Sequence, residues 1–198
     1  MQFTPGYLFG MALQTVPEPR KVARDLFNLG LSRETLWTAL LLMVVLATVM
    51  GVVADLIFPI DAQLMGPILS SPILLGVVEG AFMFGLSVAI YAIGRMMGGQ
   101  GSLENAIMTV VWMEFLFLGL QVLTVVLTLI APAMAALLLF ASVFLFFWVL
   151  THFTAENHGF QSTGLVFTSI LIFLVLAVFA LSFILVLLGV EPIEIPAQ

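Results

Sequence analysis

The sequence predicts an all-α, polytopic membrane protein: a bundle of about five transmembrane helices preceded by short N-terminal interfacial helices. Three observations predict it. Of the 198 residues, 63% are hydrophobic and 8% are charged, and the mean hydropathy is +1.26, which is outside the range of a soluble domain. Five apolar stretches have about the 20 residues that cross a bilayer. The basic residues, five in all, fall on one side of those stretches. The expected organisation is an N-terminal segment over 1–34, a five-helix transmembrane domain over 35–189 and a short polar tail over 190–198.

Two amphipathic pieces come first. Thr4 is placed to cap a helix from Pro5 to Thr15, and Pro19 stands at the first position of another that ends near Gly30. In the second piece Val22, Leu26 and Leu29 share a face while Lys21, Arg24, Asp25 and Asn28 lie away from it. That is the pattern of a helix resting in the headgroup layer. The apolar run Tyr7–Leu13 lacks a preceding basic region and is followed by Pro17 and Pro19, so insertion is expected to use the first true span.

The spans are expected at about 36–58, 68–97, 103–130, 133–153 and 165–189. Ser32 and Glu34 mark the start of the first, and Asp55 and Pro59 its end. The second carries Glu79 and is broken by Gly98-Gly99-Gln100-Gly101. Ser102 with Glu104 then opens the third, which carries Glu114 and Gln121. Ala131-Pro132-Ala133 is a reversal into the fourth, which leaves through Trp148 and His152.

Arg20, Lys21, Arg24, Arg33 and Arg95 share one side, whereas the other carries Asp55, Asp61, Glu191 and Glu194. Basic loops stay cytoplasmic, so the N-terminus is expected inside and the C-terminus outside, in the periplasm for a bacterial inner-membrane protein.

Ionisable groups within spans are costly and are read first as functional. Glu79 and Glu114 lie at similar distances from the glycine loop. If that loop joins antiparallel neighbours, the two carboxyls share a depth and line one polar pocket with Gln121 nearby. They then serve either as a proton or cation route or as hydrogen-bonding glue between helices. Gly76 and Gly80 form a GxxxG around Glu79, a spacing that admits a close helix contact.

At the end of the fourth span His152, Glu156 and His158 are candidates for interfacial capping, with only a faint likeness to a metal or proton site. No HExxH or HxxxH is present, and no metal or other cofactor is expected. Cysteine is absent, which removes disulfides and thiolate chemistry. The loop of Arg95, Gly98, Gly99, Gly101 and Ser102 lacks the lysine of a P-loop, so no nucleotide is expected, although a lipid phosphate near Arg95 is conceivable. No GxSxG or kinase signature appears, and no basic stripe suits a nucleic acid.

Arg95-x-x-Gly98-Gly99-Gln100-Gly101-Ser102-Leu103 is followed by Ala106 and Trp112, then by a proline-marked reversal and a span leaving through Trp148 to Glu156-Asn157-His158-Gly159-Phe160. This series resembles bacterial members of the Yip (Ypt-interacting protein) family, with the likeness covering roughly residues 35 to 188. It implies a five-span layout with a cytoplasmic N-terminal segment. Eukaryotic members of the family are implied to bind Rab GTPases, a role not carried to this chain with its short N-terminal segment.

Two functions are therefore expected as alternatives. One is a non-enzymatic scaffold, assembly or membrane-organising subunit working through helix and lipid contacts, with membrane lipids and other membrane proteins or a second copy as partners. The other is a small transporter or channel subunit moving protons or cations past Glu79 and Glu114.

Overall fold

The structure is a computed structural model and describes residues 4–59 and 71–187. Among the described residues there are helices α1 (Pro5–Gln14), α2 (Pro19–Phe27), α3 (Arg33–Ile57), α4 (Pro72–Met96), α5 (Leu103–Ile130), α6 (Pro132–His158) and α7 (Thr163–Leu187). α3 to α7 are each long and apolar enough to cross a membrane. Helices of this length reach about 37 Å or more, against a hydrocarbon core of about 30 Å. The molecule is a polytopic helical membrane protein.

Local chemistry sets the helix starts. Proline, whose fixed φ suits the first turn, opens α1, α2, α4 and α6. Hydroxyl caps precede five helices, where the side-chain oxygen accepts an otherwise orphaned N–H, as Ser162 does from Leu165 N–H at 3.2 Å ahead of α7. Thr4 accepts from Tyr7 N–H at 3.3 Å, Ser32 from Thr35 at 3.2 Å, Ser71 from Leu74 at 3.4 Å and Ser102 from Asn105 at 3.1 Å.

Several bounds differ from the sequence expectation. α4 opens at the Ser71-Pro72 cap, and the expected start at 68 lies outside the described residues. α6 continues past 153 to His158 and stops where Gly159 turns left-handed, at φ 73°. α2 ends at Phe27, short of Gly30, whose φ is 57°. Residues 188–198 and Asp61 lie outside the described residues.

α5 is the hub, packing against α6, α3 and α4. α4 runs antiparallel to α3, with Gly80 against Val44 and Gly76 against Thr48. α7 packs on α6. The α4–α5 and α6–α7 turns and the N-terminal helices meet at one end of the bundle, the basic end, and the core is concentrated there. Val22 and Ala23 of α2, Ala106 and Ile107 of α5, and Val149 and Phe153 of α6 are fully buried.

The apolar face of α2 is therefore covered by protein rather than by headgroups. α2 packs on α6 and α5, burying Val22 and Leu26, and Phe27 meets Phe153 edge-on at 6.2 Å. The face was legible from the heptad-like spacing, but its cover was not, because the last turns of α6 supply the matching surface. α1 still turns Phe9 and Leu13 outward, and Val16, just beyond its end, is exposed as well.

Candidate functional site

The most elaborate constellation joins the glycine loop to the end of α6. α4 stops at Gly98, whose φ of 86° lets Gly99 N–H reach Gly94 O at 2.8 Å and Gly98 N–H reach Arg95 O at 3.0 Å. α6 stops in the same way at Gly159, with Phe160 N–H on Ala155 O at 2.9 Å. Both are left-handed glycine stops that satisfy the last helical carbonyls.

The two stops interlock. Gly101 N–H donates to His158 Nδ1 at 3.1 Å, so Nδ1 bears no proton and Nε2–H donates to Ile90 O at 3.0 Å. Gln100 N–H donates to His158 O at 3.2 Å. Asn157 makes a reciprocal pair with the Ser102 backbone, accepting from its N–H at 3.1 Å and donating to its carbonyl at 3.2 Å. The imidazole is 3% exposed and stacks on Phe160 with centroids 5.6 Å apart. A Cβ on Gly99 or Gly101 would lie 2.6 Å from His158 atoms, and one on Gly94 would clash with Nε2, Cε1 and Cδ2 of the same ring. The loop is glycine-rich because a histidine ring occupies the space of its side chains. With both nitrogens committed, His158 acts as a neutral wedge.

The N-terminal segment straps this clasp. Arg24 Nε donates to Glu156 at 2.8 Å, and Arg20 Nη2 donates to Phe160 O at 2.6 Å. The buried Trp112 indole donates to Thr15 Oγ1 at 3.1 Å, and that hydroxyl in turn donates to Met11 O at 2.9 Å. Trp148 Nε1 donates to Val16 O at 3.0 Å. Arg33 Nε bonds Glu104 at 3.0 Å, tying the starts of α3 and α5.

His152, Glu156 and His158 are not gathered into one site. His152 Nδ1–H donates back to Trp148 O at 2.7 Å, Glu156 pairs with Arg24, and His158 fills the glycine cradle. Arg95 contributes neither an ion pair nor a side-chain hydrogen bond among the described residues.

Within the membrane, Glu79 accepts from Thr48 Oγ1 at 3.0 Å, which links α4 to α3. Glu114 lies within electrostatic range of Glu79 but shares no hydrogen bond with it. Gln121 stands two turns from Glu114 on the same side of α5, half-buried. The GxxxG face is taken by the chain itself: a Cβ on Gly76 would meet Thr48 Oγ1 at 3.0 Å, and one on Gly80 would touch Val44 at 3.7 Å. An outside partner is therefore not required to explain those glycines.

Sequence reasoning missed Thr48 and Thr15, and it named Asn157 only within a motif and Arg20 only as a basic residue. Thr48 had a signal, as the one hydroxyl near the middle of the first span. Thr15 had none, because its partner Trp112 is remote in sequence.

A five-span helical bundle closed at its basic end by a glycine loop and a histidine–asparagine turn defines the class. The family model of the Yip1 domain matches residues 13–184, and the chain belongs to that family. No curated protein and no solved structure matches it.

Proposed function

We propose that this Yip1-domain protein is a non-enzymatic membrane scaffold or assembly subunit that acts through helix and lipid contacts. The observation that carries this reading is the destination of its polar groups. The glycine loop, His158, Glu156 and Glu79 are each engaged by another part of the same chain. The outer faces instead present large apolar side chains, including Leu41, Phe82, Phe140 and Phe179. A contact surface of that kind reads membrane neighbours rather than soluble substrates. We place the protein in the bacterial inner membrane with its basic end cytoplasmic, since arginine and lysine are retained on that side. The C-terminus is then periplasmic.

Photo-crosslinkers at Phe140 and Phe179 in native membranes are expected to trap discrete protein adducts. Proteoliposomes are expected to leak protons and cations no faster than empty vesicles. Flux above that background, lost in Glu79→Gln and Glu114→Gln, would overturn the reading in favour of transport.

A further inference from the structure

The tryptophans mark a plane across the bundle. The clasp holds Gly101 and Ser102 level with Asn157 and His158, so depths along α5 and α6 count from one reference. Trp112 lies about 14 Å below the start of α5 at Leu103, and Trp148 about 15 Å below the end of α6 at His158. Trp37 of α3 stacks on Phe84 with centroids 5.6 Å apart. Phe84 in turn lies about 15 Å below Gly94, the glycine that abuts the His158 ring. All 3 tryptophans of the chain therefore share one level. Indole rings collect where the hydrocarbon of a bilayer meets its headgroups. Beyond that level α5 has about 27 Å left to Ile130 and α6 about 24 Å to Pro132, close to the roughly 30 Å of a hydrocarbon core.

The turn between α1 and α2 is fastened at this level, since Trp112 donates to Thr15 Oγ1 and Trp148 to Val16 O. α1 buries Met11 and packs Leu8 and Ala12 against the core. On its other side Phe9 and Leu13, one turn apart, are 65% and 61% exposed. No side chain among residues 1–17 is charged. α2 differs: it carries Arg20, Lys21, Arg24 and Asp25 and rises from the turn toward the clasp, where Arg24 meets Glu156 and Arg20 meets Phe160 O.

We propose that the tryptophan plane is the hydrocarbon boundary at the basic end, and that α1 is a membrane-surface helix whose partner is the lipid leaflet there. Its Phe9–Leu13 face enters the acyl chains, as the apolar face of an interfacial helix does to a depth of about 5–10 Å. The clasp then stands about 14–15 Å outside the hydrocarbon, past a headgroup layer of about 5–8 Å. The interfacial role expected of α2 falls to α1, because the apolar face of α2 is spent on protein while that of α1 is not.

The test is collision-accessibility electron paramagnetic resonance on the full chain in vesicles of palmitoyl-oleoyl phosphatidylcholine. Cysteine is absent, so each single substitution carries one nitroxide label. Labels at Phe9→Cys and Leu13→Cys are expected to collide about threefold more with oxygen, which dissolves in acyl chains, than with a water-soluble nickel chelate. Labels at Asp25→Cys and Met96→Cys are expected to reverse that preference. Met96 is the discriminating position: it is apolar and 87% exposed, so hydropathy alone assigns it to lipid, whereas its level beside Gly94 assigns it to water. All four side chains are exposed, and an unchanged thermal midpoint checks that labelling spares the core. Nickel-dominated collisions at Phe9 and Leu13 would overturn the proposal by placing α1 in water. Dipolar broadening at Phe9 that is lost on dilution with unlabelled chain would overturn it in favour of a second copy. Oxygen-dominated collisions at Met96 would overturn the boundary at the tryptophans. None of these readouts involves another protein, so they hold or fail independently of the scaffold reading.

Discussion

The basic end and the opposite half of the bundle are built on different terms. At the basic end, side chains of α2, α5 and α6 interdigitate until Val22, Ile107 and Phe153 lose all exposure, and two turns exchange four hydrogen bonds, with a fifth from His158 to Ile90 O in α4. In the opposite half, Val126, Leu129, Ile130, Met134 and Leu137 face outward from α5 and α6. The difference follows from the solvent. Lipid tails are as apolar as leucine, so apolar area alone does not draw helices together in hydrocarbon. Cohesion gathers where glycines let backbones approach, where polar groups find partners, and where water lies close enough to restore a hydrophobic drive. The sharpest way to break the comparison is to remove the close approach. In Gly101→Val a Cβ must displace the buried His158 ring, and the Gly101–His158 hydrogen bond is lost with it. Overpacking and an orphaned donor together are expected to cost about 3 kcal/mol or more. Gly119→Ala, at a helix position with nothing within 4 Å, is expected to change stability by less than about 1 kcal/mol. Unfolding in mixed micelles followed by tryptophan fluorescence reads both, and equal effects would erase the contrast between the two ends.

The spans were legible because length and hydropathy are local properties, and so were the caps at Ser32 and Ser102. The glycine loop and the Asn157-His158-Gly159 turn were each visible as motifs. Their contact was not, since Gly101 and His158 stand 57 residues apart and nothing in either stretch names the other. Conversely, the equal spacing of Glu79 and Glu114 about the loop suggested a shared pocket. Electrostatic proximity is what the structure gives them, while the hydrogen bond of Glu79 goes sideways to Thr48 on α3. Register between packed helices decides such partners, and hydropathy carries no register.

Mid-membrane cohesion is expected to be the weaker of the two kinds. Thr48→Val deletes the hydroxyl that Glu79 uses, and Glu79→Gln keeps an acceptor in its place. The first substitution is therefore expected to cost more than the second. A double-mutant cycle should return a coupling of about 0.6 kcal/mol and no more than about 1.7, as for other hydrogen bonds between membrane helices. A coupling as large as the Gly101→Val effect would mean that the carboxyl, rather than the clasp, organises the bundle.

The smallest effect is expected at the strap. Arg24 and Glu156 are paired at 2.8 Å, but the arginine side chain is 62% exposed, and water and salt weaken such pairs. What holds α2 is the burial of Val22, Ala23 and Leu26 and the Phe27–Phe153 contact. Arg24→Gln should thus leave the N-terminal segment as resistant to limited proteolysis as the parent chain. Any small gain in cleavage at low salt should vanish near 1 M, where the screening length falls to about 3 Å. Leu26→Ala, which removes buried apolar surface, should expose the segment at every salt concentration. If Arg24→Gln alone released it, the strap would be electrostatic, and the tight end of the molecule would owe its order to charge rather than to packing.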